Sequence, residues 1–143
     1  MSARGIRISD DPLAIDRTRL HAFLSERSYW AKGIPREIVD RAIEGSLCFS
    51  ALAGEEMVGF ARVVTDRATF AYLADVYVEE PHRGRGIGKR LVAAVLAHPD
   101  LQGLRRWLLA TADAHGLYAA FGFSPLSAPE RLMERIEGNV YAR

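Results

Sequence analysis

Residues 76 to 90, Val-Tyr-Val-Glu-Glu-Pro-His-Arg-Gly-Arg-Gly-Ile-Gly-Lys-Arg, run a strand-forming segment through a glycine-rich turn and straight into a helical pattern. Upstream, Phe70 to Val78 is dense in β-branched and aromatic residues. Downstream of Ile87 the apolar residues recur as Leu91, Ala94 and Val95, which is helical spacing. Gly84, Gly86 and Gly88 therefore fall at a helix N-terminus, where the first turn has backbone N–H groups without intrahelical partners and the macrodipole adds positive charge. A phosphate fits there without a dedicated side chain. Arg83, Arg85, Lys89 and Arg90 add cationic charge around the same turn, more than a plain surface turn requires.

Two familiar phosphate loops fail on spacing. A Walker-type loop needs four residues between its first glycine and the Gly-Lys pair, then Ser or Thr for Mg²⁺. Only three residues separate Gly84 from Gly88, and Arg90 follows Lys89. A dinucleotide fingerprint counted from Gly84 and Gly86 puts Lys89 at its third glycine. The region that should supply an acid for the ribose holds Arg105 and Arg106.

At 143 residues and 49% hydrophobic composition, the chain is expected to form one domain, residues 1–143, with its own core. A formal net charge of +1 argues against nucleic acid or an anionic membrane as a partner of the whole molecule. Cys48 is the sole cysteine, which excludes an internal disulfide and fits a reducing cytoplasm. Inside a strand-like segment it reads as a small apolar residue, not a nucleophile. No apolar run approaches a membrane span, no export signal core is seen, and the four histidines show no metal-ligand spacing.

The remaining elements follow from periodicity and punctuation. Gly5 to Ser9 alternates as a short strand. Asp10 or Asp11 should cap a helix with Pro12 near its start and Leu13, Leu20, Phe23 and Leu24 on its apolar face. An aromatic loop, Ser28 to Pro35, leads to a second helix, Arg36 to Glu44, stopped by Gly45. Leu47 to Ala53 and Met57 to Thr65 read as a hairpin across Gly54-Glu55-Glu56. Pro99 ends the helix after the glycine turn, Trp107 to Thr111 is the next strand, and Ala114 to Ala120 a short helix. The segment after Pro129 reads as either strand or coil. The class is α/β, a mixed and largely antiparallel sheet with Phe70 to Thr111 forming a parallel crossover.

What survives elimination is Arg-x-x-Gly-x-Gly, carried by Arg83, Gly86 and Gly88, directly after Val76-Tyr77-Val78. This resembles the acetyl-CoA loop of the GNAT acetyltransferase superfamily. Ala114-His115-Gly116-Leu117-Tyr118-Ala119-Ala120-Phe121-Gly122-Phe123 is similar to that superfamily's Ala-x-x-x-Tyr-x-x-x-Gly-Phe segment, one helix and one strand downstream. The resemblance implies a GNAT-like sheet flanked by helices, mostly antiparallel, whose two parallel strands splay to admit the pantetheine arm.

The resemblance also implies a division of labour. Backbone N–H groups from Gly84, Arg85, Gly86, Ile87, Gly88 and Lys89 would take the pyrophosphate, with the Arg83 and Arg85 side chains available. Val76, Tyr77 and Val78 would pair with the pantetheine amides like an added strand. Tyr118 is the general-acid candidate for the departing thiolate, with His115 as an alternative. Asp75 is either the base that deprotonates an amine or an ion-pair partner of Arg62 or Arg67. Asp113 is expected to cap the last helix, with contact to CoA as a second role. Glu79 and Glu80 read as solvated. Tyr29, Trp30, Phe49 and Tyr72 are candidates for acceptor contact. The function implied is N-acetylation of a small-molecule or peptide amine, without a metal. A non-catalytic acyl-CoA-binding module is the alternative, and a nucleic-acid-binding domain using Arg-Gly-Arg-Gly is disfavoured by the charge. A homodimer is compatible with the sequence, which does not require one.

Overall fold

Side-chain alternation along the strands sets the architecture. The computed structural model describes residues 5–142. Its sheet has five strands in the spatial order β1 (Ile6–Ser9), β2 (Leu47–Ala53), β3 (Glu56–Thr65), β4 (Phe70–Val78) and β5 (Arg106–Leu109). The first four pair antiparallel and β5 pairs parallel with β4, the mixed sheet expected from the sequence. Gly54, at φ 63, makes the tight β2–β3 turn that fixes the hairpin register.

The described chain divides into two compact units, one ending at Ala110 and one beginning at Thr111. In the first unit, α3 (Ile87–Ala97) packs across β1 to β4, with Ile87, Leu91, Val92 and Val95 buried. Gly59 on β3 marks how close that approach is, since a Cβ there would lie 3.2 Å from Leu91 Cδ1. The next residue, Phe60, points to the opposite face, where its ring meets Tyr77 and where α1 (Arg17–Ala22) and α2 (Arg36–Glu44) contribute Leu20, Val39 and Ile43 to the core. The second unit holds α4 (His115–Ala119) and the segment beyond it. No strand occurs there among the described residues, only short 3₁₀ turns at Pro129–Arg131 and Val140–Ala142.

The first helix departs from its expected form. Asp11 does cap, its carboxylate accepting the Leu13 N–H, but what it starts is one 3₁₀ turn, Pro12–Ala14. Ile15 is extended, and Asp16 then caps α1 by accepting the Arg19 N–H. Leu13 is consequently 93% exposed and does not join the apolar face. At its other end α1 widens into a π-type turn, Phe23–Arg27, closed by the Ser28 N–H donating to the Phe23 carbonyl at 3.0 Å.

Candidate acetyl-CoA site

The β4 strand is interrupted where the sequence places its chemistry. Phe60 pairs with Tyr77 and Arg62 with Ala74, so β4 carries one more residue than β3 across that interval. This is a bulge, and within it Asp75 sits at φ 53, a left-handed conformation that Asp tolerates better than most residues. Pairing with β5 covers only Phe70 to Leu73. From Ala74 to Val78 the β5-side edge of β4 thus has no strand partner among the described residues, the kind of edge to which an extended ligand can add.

Beyond Val78 the chain is pinned before it turns. The Glu79 N–H donates to the Val58 carbonyl at 2.8 Å, and Arg83 Nε donates back to the Val78 carbonyl at 2.9 Å. Gly84 and Gly86 both have positive φ, 80 and 78. Gly86 is the N-cap of α3 and has no side chain with which to cap it. The first intrahelical bond runs from the Arg90 N–H to the Gly86 carbonyl at 3.1 Å, so the N–H groups of Ile87, Gly88 and Lys89 point out of the helix end. Arg83 and Lys89 are exposed and Arg85 half-buried around this end. The bare N-terminus, the left-handed glycines and the unpaired strand edge fit a ligand with a phosphate head and an amide-bearing arm.

The aromatic loop is tied to the bulge. Asp75 accepts one hydrogen bond from Trp30 Nε1 and another from Arg62 Nε, each at 2.7 Å, and Arg62 Nη1 donates to Ser46 Oγ at 3.0 Å. Of the two roles open to Asp75 in the sequence, the geometry displays the ion pair with Arg62; Arg67 instead pairs with Asp100. Tyr29 stands edge-on to Trp30, with ring centroids 4.9 Å apart, and both are exposed. A second tie lies one turn back, where Phe23 stacks on Tyr77 at 3.7 Å and the Arg27 guanidinium lies over Phe23.

Glu79 corrects an expectation. It is buried, not solvated, because Arg27 reaches it at 3.0 Å and neutralises it. Glu80 is exposed. The Tyr77 phenol is also buried without a hydrogen-bond partner, and burial, with the Glu79 carboxylate nearby, pushes it well above the usual tyrosine range. Its side chain serves packing.

The acceptor candidates separate. Tyr72 pairs with Val64 on the exposed part of the face that carries Arg62, whereas Phe49 is buried on the α3 side, edge-on to His98 at 5.7 Å. Cys48 is buried near the Ile43 carbonyl, and burial pushes its thiol up to about 11.

In the second unit Tyr118 is buried on α4, its ring in edge contact with Phe123 at 6.0 Å. The Phe121 and Phe123 N–H groups both donate to its carbonyl, which folds the Phe121-Gly122-Phe123 end back on the helix. His115 is exposed. Asp113 is exposed as well, and it does not cap α4 as expected. The N-cap is Ala114, and Thr111 Oγ1 accepts the Asp113 and Ala114 N–H groups. Thr111 does this because it stands three residues before Ala114 at the end of an extended segment, an ST-turn signal that lay in the sequence. The π-type turn and the Trp30 anchor were likewise missed; neither leaves a periodic trace.

Among the described residues no group of three or more His, Cys, Asp or Glu could hold a metal ion, and no helix is long and apolar enough to cross a membrane. The acetyltransferase (GNAT) family model matches residues 17–123. The presumed acetyltransferase FG08082 of Gibberella zeae is 32% identical, the match covering 78% of this chain and 74% of that one. The crystal structure of a presumed GNAT-family acetyltransferase of Xanthomonas campestris pv. campestris is 52% identical with a TM-score of 0.94, covering 96% of this chain and 97% of that one. A GNAT acetyltransferase of Elizabethkingia anophelis, solved with acetyl-CoA bound, shares the fold at TM-score 0.64 and 16% identity, covering 95% and 90%. Glycine turn, interrupted parallel pair and family match converge on one assignment: the chain belongs to the GNAT acetyltransferase family.

Proposed function

We propose that this chain is an N-acetyltransferase that passes an acetyl group from acetyl-CoA to a primary amine, of a small molecule or a peptide, by direct attack in a ternary complex. The observation that carries the reading is the β4 edge without a β5 partner, Ala74 to Val78, running into the uncapped N-terminus of α3. Acetyl-CoA has the matching parts in the matching order, amides along the arm and then a pyrophosphate. The acetyl-CoA-bound Elizabethkingia structure, which shares the fold, supports the same donor. The family match runs through the junction at Ala110, which supports reading the chain as a single acetyltransferase domain.

Gly84 to Lys89 hold the pyrophosphate by backbone N–H donation, with Arg83, Arg85 and Lys89 balancing charge. Val76, Tyr77 and Val78 hold the arm by strand addition. A backbone N–H at the bulge, on Val76 or Tyr77, stabilises the developing oxyanion, a contribution of roughly 3 to 4 kcal/mol when a donor is well placed. The amine nitrogen bonds to the carbonyl carbon and the carbon–sulfur bond breaks. The amine attacks unprotonated, having given its ammonium proton to water; Tyr118, assigned by its place in the family segment, protonates the departing thiolate and regains a proton released from the acylated nitrogen through water. Asp113 touches CoA in this reading only as an exposed residue ahead of α4.

A thermal-shift panel of acetyl-CoA, CoA, ATP and NAD tests the donor. A ligand at 100 times its Kd stabilises by about 2.7 kcal/mol, so acetyl-CoA and CoA should each raise Tm by several degrees. A shift with ATP or NAD and none with either CoA form sinks the proposal. Tyr118→Phe separates enzyme from sensor: turnover should fall while CoA affinity holds.

A further inference from the structure

We propose that Asp75 is a positioning residue and not the general base: its carboxylate fixes the Trp30 indole, and with it the exposed aromatic loop, at the bulge of the donor strand. This rests on the acetyl-transfer reading, since the surface so fixed is the one on which an acceptor amine would be held.

A general base must be free to take up the acceptor's proton without giving up contacts that hold its neighbours in place. Each Asp75 oxygen already accepts a hydrogen bond at 2.7 Å, Oδ1 from Trp30 Nε1 and Oδ2 from Arg62 Nε. The charge is balanced by Arg62, which is itself oriented by Ser46 Oγ, and the two side chains are only 11% and 20% exposed. The carboxylate therefore works as a bracket between two elements far apart in sequence, the Ser28 to Pro35 loop and the β3–β4 pair. Its backbone at φ 53 aims the side chain out of the strand register, and that displacement is what allows one carboxylate to meet a β3 arginine and a loop tryptophan together. The result is an aromatic ledge, Trp30 with Tyr29 edge-on at 4.9 Å, held in place while 41% and 61% exposed. A loop residue that is both exposed and rigid suits recognition, because little conformational freedom remains to be lost on binding.

The chain has two tryptophans, Trp30 and Trp107, hence two indole N–H signals in a ¹H–¹⁵N spectrum. With Trp30→Phe supplying the assignment, the Trp30 signal should lie downfield and exchange slowly. In Asp75→Asn it should move to the position of a solvated indole. Asn suits a positive φ, so the bulge stands, but its amide offers one acceptor oxygen where the carboxylate offers two. The kinetic arm uses saturating acetyl-CoA and whichever of tyramine, spermidine and a peptide N-terminus releases thiol fastest. Asp75→Asn and Trp30→Phe should each raise KM for that amine about tenfold with a smaller change in kcat, as expected for loss of a hydrogen bond to a charged group. The double variant should be no worse than the worse single one, and the acid limb of the kcat/KM profile should stay in place. Collapse of kcat with loss of that limb and an unchanged KM would make Asp75 the base and overturn the proposal. So would an additive double variant, or a Trp30 signal indifferent to Asp75→Asn. If the wild type releases no thiol with any amine, it is the acetyl-transfer reading that fails, and the indole signal alone decides the tether.

Discussion

Gly86 shows how a single backbone angle would shape the proposed pyrophosphate site. At φ 78 it costs glycine nothing, but an L-residue there loses about 1 to 2 kcal/mol. No atom lies within 4 Å of where its Cβ would stand, so strain and not collision is the penalty. Gly86→Ala should therefore lower Tm by a few degrees yet weaken acetyl-CoA binding at least tenfold by calorimetry, because relieving the strain turns the Ile87 to Lys89 N–H groups away. Unchanged affinity would detach the turn from the ligand. Asp66 is a different case. It accepts the Ala68, Thr69 and Phe70 N–H groups and the Thr69 hydroxyl, and that hydroxyl is the first of the causes holding its carboxyl well below the usual range. The folded form is then more acidic than the unfolded one, so its stabilisation is present above pH ~4 and drains away as pH falls below that. The Tm gap between wild type and Asp66→Asn should narrow from pH 7 toward pH 2; a constant gap would show that the charge is irrelevant. The glycine turn was more legible because three glycines and four cations in eight residues have few other uses.

Elements were legible to the extent that they obey a period. The β2–β3 hairpin, α2 and α3 stand within a residue of their expected bounds at most ends, because each has an apolar face and a glycine or proline stop. The first helix did not, since two consecutive caps, Asp11 and Asp16, compete for one start and the pattern of Leu13, Leu20 and Phe23 hides the break between them. The β4 bulge leaves no such trace, because one inserted residue flips the face of Asp75 without altering composition. Gly59 couples these elements. A Cβ there would meet the Tyr77 carbonyl at 3.1 Å, Leu91 Cδ1 at 3.2 Å and Ala51 Cβ at 3.3 Å, so α3, β2 and β4 all close on it. Gly59→Ala should cost roughly 1 to 3 kcal/mol in urea unfolding. Because one crowded atom is the carbonyl of Tyr77 on the donor strand, it should also weaken CoA binding beyond the loss caused by a core change of equal cost remote from β4, such as Ile43→Val in α2. Equal losses of affinity would remove Gly59 from the site's support.

At the scale of the molecule, near-neutral charge leaves local architecture to do the recognising, and Cys48 offers a way to ask whether the ligand grips the folded state as a whole. The thiol is 6% exposed in β2 and pushed up to about 11 by burial, so the native form is a poor nucleophile at pH 8. Labelling by a thiol reagent must then proceed through an opened state and should follow its population. Cys48 and the glycine turn lie in the same compact unit, on β2 and at the start of α3, and those two elements pack against each other. If that unit opens cooperatively, acetyl-CoA at 100 times its Kd should slow labelling about a hundredfold, the factor by which it depletes the ligand-free folded chain. Gly86→Ala should abolish most of that protection at the same ligand concentration, while Tyr118→Phe should keep it. Protection of only a few-fold, with binding established independently, would mean that β2 opens without releasing the turn. The donor site would then be a locally stable platform and not part of one cooperative unit.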